Sequence, residues 1–149
     1  MTQKHFTLTD VRTLPFSSLE LRYADGAVLR VDLAAIIQAH PSLHGLSQPE
    51  VFAQAAVGEW GGSVIWAGDD ALELAADNLR AQAVEQAGGA SHERLWNWMA
   101  RNQLTLDDAA KALGLSRRML AYYRSGEKPI PRTVALACLG WEAEQRLAT

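Results

Sequence analysis

Arg117 and Arg118 stand side by side, Tyr122 and Arg124 follow within seven residues, and no carboxylate intervenes before Glu127. A guanidinium is a planar fork that can donate to guanine O6 and N7 together, and each such pair is worth about 1–3 kcal/mol of base discrimination. Tyr122 could meet a thymine methyl or a phosphate. The plainer alternatives are a solvated helix start with two surface arginines and an amphipathic surface tyrosine.

Reading bases requires a rigid element that carries these side chains on one face. Leu104 to Gly126 reads as two short helices joined by a tight turn, the layout of a helix-turn-helix. Thr105 can cap the first helix, with Asp108 closing a capping box. Ala109, Ala110 and Leu113 supply its apolar face, and the small alanines let a second helix cross closely. Gly114 can leave the helix in a left-handed conformation that a Cβ would penalise. Leu115 plugs the corner and Ser116 caps the second helix. That helix buries Leu120 and Tyr123 and turns Arg117, Arg118, Ala121, Tyr122 and Arg124 outward.

Charge divides along the chain. Residues 1–90 hold 5 Lys and Arg against 11 Asp and Glu, net −6, whereas residues 91–149 hold 9 against 6, net +3. A basic binding module joined to an acidic partner domain is the expectation. The boundary falls in Ala87-Gly88-Gly89-Ala90, dividing an α+β domain over 1–87 from an all-α helix-turn-helix bundle over 88–149. Downstream, Ser91 can cap a helix carrying Leu95, Trp98 and Met99. Lys128-Pro129-Ile130-Pro131 forces a turn before a last helix with Val134, Leu136, Ala137, Cys138, Trp141 and Leu147. About four helices make up this unit.

The acidic half has a different grammar. Leu19, Leu21 and Tyr23 alternate with other residues, and Asp25-Gly26 separates them from Val28 to Val31, a hairpin signal. Phe6 to Val11 could add a third strand. Leu33 to Gln38 reads as a short helix, and Ser63 to Trp66 as a buried strand. Val51 to Val57 stays open between helix and strand. Asp70 and Glu73 have the spacing of a capping box for a helix running to about Arg80 or beyond. The expected architecture is a small antiparallel sheet with helices.

Other chemistries find little support. Cys138 stands alone, which excludes an internal disulfide and leaves no cysteine framework for zinc; its apolar neighbours suggest an inert thiol. His40 and His44 have a helical metal-chelating spacing, but Pro41 between them favours a surface loop. Ser63 after Gly61-Gly62 lacks the second glycine of a nucleophile elbow. Trp60 and Trp66 read as core aromatics. No catalytic set or cofactor motif emerges, so an enzyme is not expected. No apolar run approaches a membrane span and no signal-peptide core follows Met1, so a cytoplasmic location is expected.

Residues 91–141 resemble the Cro/C1-type (XRE-like) helix-turn-helix of phage and bacterial repressors through Ala110, Leu113-Gly114-Leu115-Ser116, Ser125-Gly126 and Lys128-Pro129. Residues 11–80 are similar to the bacterial domain of unknown function 2442 through Tyr23-Ala24-Asp25-Gly26, Val31-Asp32-Leu33, Pro49-Glu50-Val51-Phe52 and Gly62-Ser63-Val64-Ile65-Trp66. The repressor resemblance implies base-reading roles for Arg117, Arg118 and Tyr122. It places Ser116, Ser125 and Lys128 at phosphates, and Arg124 is assigned to the backbone with them.

The expected function is a sequence-specific transcriptional regulator that binds double-stranded DNA as a homodimer, with the N-terminal domain supplying dimer, partner or ligand contacts. The alternative is an antitoxin-like interaction module whose acidic half binds a protein partner.

Overall fold

Strand alternation organises the first 86 residues. Leu19, Leu21 and Tyr23 fall on one face of β2 (Ser18–Tyr23), and that face is buried. β2 is the centre of an antiparallel sheet, pairing Leu19 with Val31 on β3 (Val28–Asp32) and Val11 with Leu21 on β1 (Leu8–Leu14). The computed structural model describes residues 3–66 and 69–148. The chain divides into two compact units, Met1–Gln86 and Ala87–Thr149.

The first unit contains a second antiparallel sheet, beyond the single small sheet expected from the sequence. β4 (Ala55–Val57) and β6 (Glu73–Ala75) flank β5 (Ser63–Trp66). The ambiguous run from Val51 to Val57 is both things in turn, since α2 (Pro49–Phe52) gives way to β4. Ahead of it lie α1 (Ala34–Ala39) and the 3-10 helix Pro41–Ser47.

The expected helix start at Asp70 is corrected. Glu73 lies on β6, where Val64 pairs with Leu74, and its carboxylate accepts a hydrogen bond from Ser63 Oγ at 2.7 Å. Leu72 and Ala76 are buried and Leu74 is half-buried, while Glu73 and Ala75 between them are exposed, which is strand periodicity. The helix, α3, spans Ala76–Gln86. Its last residue closes the outer edge of β3: the Gln86 amide accepts from Asp32 N and donates to Asp32 O, both at 2.8 Å. An edge strand left with open backbone groups would invite pairing with another chain.

Trp66 and Trp60 separate. Trp66 is buried and its Nε1 donates to the Phe52 carbonyl at 3.1 Å. Trp60, expected in the core, is 86% exposed, because its backbone is left-handed at φ 64° and throws the ring outward. Gly61 then passes beneath β1 so closely that a Cβ would sit 2.5 Å from the Leu8 carbonyl oxygen. The core of this unit gathers Leu19, Leu21, Val31, Leu33, Leu46, Val64, Trp66 and Leu79. Tyr23 crosses it to donate to the Ala76 carbonyl at 2.8 Å.

The second unit is helical: α4 (His92–Arg101), α5 (Leu106–Leu113), α6 (Arg117–Arg124) and α7 (Arg132–Leu147). Ser91 caps α4 by accepting from Arg94 N at 3.0 Å. Leu95, Trp98 and Met99 from α4 meet Ala109, Ala110, Leu120, Tyr123 and Val134 in a separate core. Trp98 packs edge-on against Trp141 at 5.5 Å between ring centroids, and its Nε1 donates to the Cys138 carbonyl at 3.0 Å. Burying an indole this way satisfies its one donor. Among the described residues no helix is long and apolar enough to cross a membrane.

Candidate functional site

The α5–turn–α6 segment is set by local chemistry at each joint. Thr105 Oγ1 accepts from Asp108 N at 3.1 Å and the Asp108 carboxylate accepts from Thr105 N at 3.4 Å, so two amino-terminal donors of α5 are satisfied reciprocally. At the far end Gly114 is left-handed, φ 70° and ψ 30°, and the Leu115 N–H returns to the Ala110 carbonyl at 2.9 Å. Leu115 and Leu113 pack against the core, and Ser116 Oγ accepts from Met119 N at 3.1 Å to start α6. Leu120 and Tyr123 anchor α6 from within, which fixes the direction in which its other face points.

Arg117 and Arg118 are exposed at the amino-terminal end of α6. Arg117 Nε lies 3.4 Å from the Asp107 carboxylate with both side chains open to solvent, a contact of small energetic weight. Arg118 has a different neighbour. Its Nε donates to the Tyr122 hydroxyl at 3.0 Å, and that bond raises Arg118 above the ordinary guanidinium value. The spacing of four residues puts both on one helix face.

Tyr122 gathers more than Arg118. Lys128 Nζ lies 4.4 Å from its ring centroid, and its carbonyl accepts from Lys128 N and from Ser125 Oγ, each at 3.2 Å. Ser125 Oγ also accepts from Glu127 N at 3.3 Å, which holds the chain as it leaves α6. Arg117, Arg118, Tyr122 and Lys128 are thus presented from α6 and the turn after it. Ser116 is exposed beside them, its Oγ engaged as a cap.

Arg124 stands apart from this group. Its guanidinium stacks 4.6 Å from the ring centroid of Trp96, on the outer face of α4. Trp96 is 48% exposed and is not among the candidates expected from the sequence. The signal was available: it lies outside the apolar stripe of Leu95, Trp98 and Met99, so its ring had to be used elsewhere. A cation over an indole face is attracted by the ring quadrupole.

The remaining candidates lie elsewhere. His40 and His44 are exposed, and His44 is carried on a 3-10 helix rather than a loop. Ser63 is engaged with Glu73. Burial pushes the Cys138 thiol up to about 11, away from a reactive thiolate. Among the described residues no group of three or more His, Cys, Asp or Glu is placed to hold a metal ion.

The model of the family described as protein of unknown function (DUF2442) matches residues 8–85, within the first unit. No curated protein matches the chain. Among solved structures, that of "Putative DNA Binding Protein NE0471 from Nitrosomonas europaea ATCC 19718" is similar at 46% identity and a TM-score of 0.85. The match covers 96% of this chain and 91% of that one, so the likeness extends through both units.

Proposed function

The chain belongs to the DUF2442 family, and from that premise we propose that it is a DNA-binding regulator whose second unit is a Cro/C1-type helix-turn-helix. One observation carries the reading: α6 is anchored by Leu120 and Tyr123 and carries Arg117 and Arg118 on its exposed face, immediately after a capped Gly114 turn. The Nitrosomonas protein's description as a "Putative DNA Binding Protein" supports it. α6 enters the major groove, with Arg117, Arg118 and Tyr122 toward base edges. Ser116, Ser125 and Lys128 meet the backbone, and Arg124 reaches it from its place over Trp96, helped by the free N–H groups of the helix start. The acidic first unit serves partner, ligand or dimer contacts, and the protein works by binding rather than turnover.

One short helix covers few base pairs, so the proposal includes a homodimer on half-sites about 34 Å apart. Fluorescence anisotropy of labelled genomic duplexes, the protein's own upstream region among them, tests the reading across a range of salt. Sequence-selective binding that an Arg117→Ala/Arg118→Ala double mutant loses supports it. Binding that ignores both sequence and mutation refutes it, and weight then moves to protein interaction through the acidic half.

A further inference from the structure

Tyr122 engages Arg118 twice: its ring centroid lies 5.6 Å from the guanidinium carbon, and its hydroxyl takes a hydrogen bond from one particular atom. Arginine carries five N–H donors in a rigid plane, and here the Nε–H is taken by the Tyr122 hydroxyl at 3.0 Å. A guanidinium can offer two parallel donors along its outer edge, from Nη1 and Nη2, or along the side that includes Nε. The Tyr122 bond occupies the second. Among the described residues no carboxylate forms an ion pair with Arg118. Tyr122 is itself fixed: it is half-buried, its carbonyl is held by the Lys128 N–H and the Ser125 hydroxyl at 3.2 Å, and Lys128 Nζ lies 4.4 Å from its ring centroid.

We infer that Tyr122 is a positioning residue: its hydroxyl orients Arg118 so that the Nη1–Nη2 edge faces a base, and the base that accepts from both is guanine through O6 and N7. The inference rests on the proposal that α6 meets DNA, and it narrows the part of Tyr122 from base reader to holder of a base reader. A long side chain whose rotamers are restricted before binding loses less freedom on contact, so the hydroxyl contributes selectivity without touching DNA.

The test uses the full chain and the variants Tyr122→Phe, Arg118→Ala and the double variant. Tyr122→Phe keeps the ring under Lys128 and removes only the hydroxyl. In the free protein, the Arg118 Nε–H resonance of a 15N-labelled sample is expected to exchange slowly and to move to the position of unpaired arginines in Tyr122→Phe. An unchanged resonance overturns the inference. On duplexes differing by single base pairs, Tyr122→Phe and Arg118→Ala are expected to lose about tenfold in selectivity at the same guanine. Tyr122→Phe should change nothing further in the Arg118→Ala background. Equal losses in both backgrounds mean that Tyr122 contacts DNA itself, which also overturns it. A wild type that binds no duplex defeats the DNA reading and the guanine assignment with it, while the resonance still decides whether Tyr122 holds Arg118.

Discussion

Arg101 on α4 and Glu142 on α7 meet through two hydrogen bonds, Nε to Oε2 at 2.8 Å and Nη2 to Oε1 at 2.9 Å. Asn102 adds a third, from Nδ2 to Oε2 at 2.9 Å. Together they clamp the end of α4 to α7, and they lower the Glu142 carboxyl from 4.5 to about 2.

This pairing has a pH signature. Because the folded value lies below the unfolded one, the stabilisation is complete above about 4.5 and is lost as pH falls toward about 2. Arg101 is half exposed, so screening limits the contribution to about 1 kcal/mol or less. Glu142→Gln is therefore expected to lower the urea midpoint at pH 7, with the gap from wild type shrinking below pH 4.5. A gap that stays constant across this range contradicts the assignment.

Two glycines with nearly the same backbone angle should respond differently to alanine. Gly114 has φ 70° and open space where a Cβ would go, so Gly114→Ala costs the left-handed conformation alone, about 1–2 kcal/mol. Gly61 has φ 71°, and the added Cβ also meets the Leu8 carbonyl at 2.5 Å. Gly61→Ala should be the more destabilising of the two in urea titrations, and equal losses would show that the loop yields.

If α6 meets DNA as proposed, Lys128 distinguishes phosphate contact from base reading. Lys128→Ala is expected to weaken binding to every duplex alike and to reduce the slope of log K against log salt by about 1. Anisotropy titrations at several salt concentrations check this. A change in sequence preference would instead place Lys128 at a base.

Cys138 should alkylate slowly. With its thiol pushed up to about 11 from 9.0, the thiolate at pH 8 is scarce, and iodoacetamide should label it far more slowly than a free thiol until the protein unfolds. Rapid labelling of the folded chain would contradict the burial that raises it.

Elements whose signals are local are legible in the amino-acid order alone. Thr105 with Asp108, Gly114 and Ser116 specify the helix ends and the turn between α5 and α6, because each cap satisfies backbone groups within four residues of itself. The β2–β3 hairpin is legible in the same way, from alternation around Asp25-Gly26.

Whatever depends on distant partners is settled only in the folded chain. Glu73 matches a capping box in spacing, yet pairing across β5 and the Ser63 hydroxyl draw it into a strand, since three residues of local preference weigh less than a ladder and a buried Leu72. Trp60 and Trp66 are the same residue type six positions apart, and only the left-handed turn at Trp60 sends one outward while the other fills the core. The base-reading candidates could be named from sequence. That Arg124 belongs to Trp96, and that Arg118 belongs to Tyr122, could not, because side-chain direction is settled by what the folded neighbours leave open.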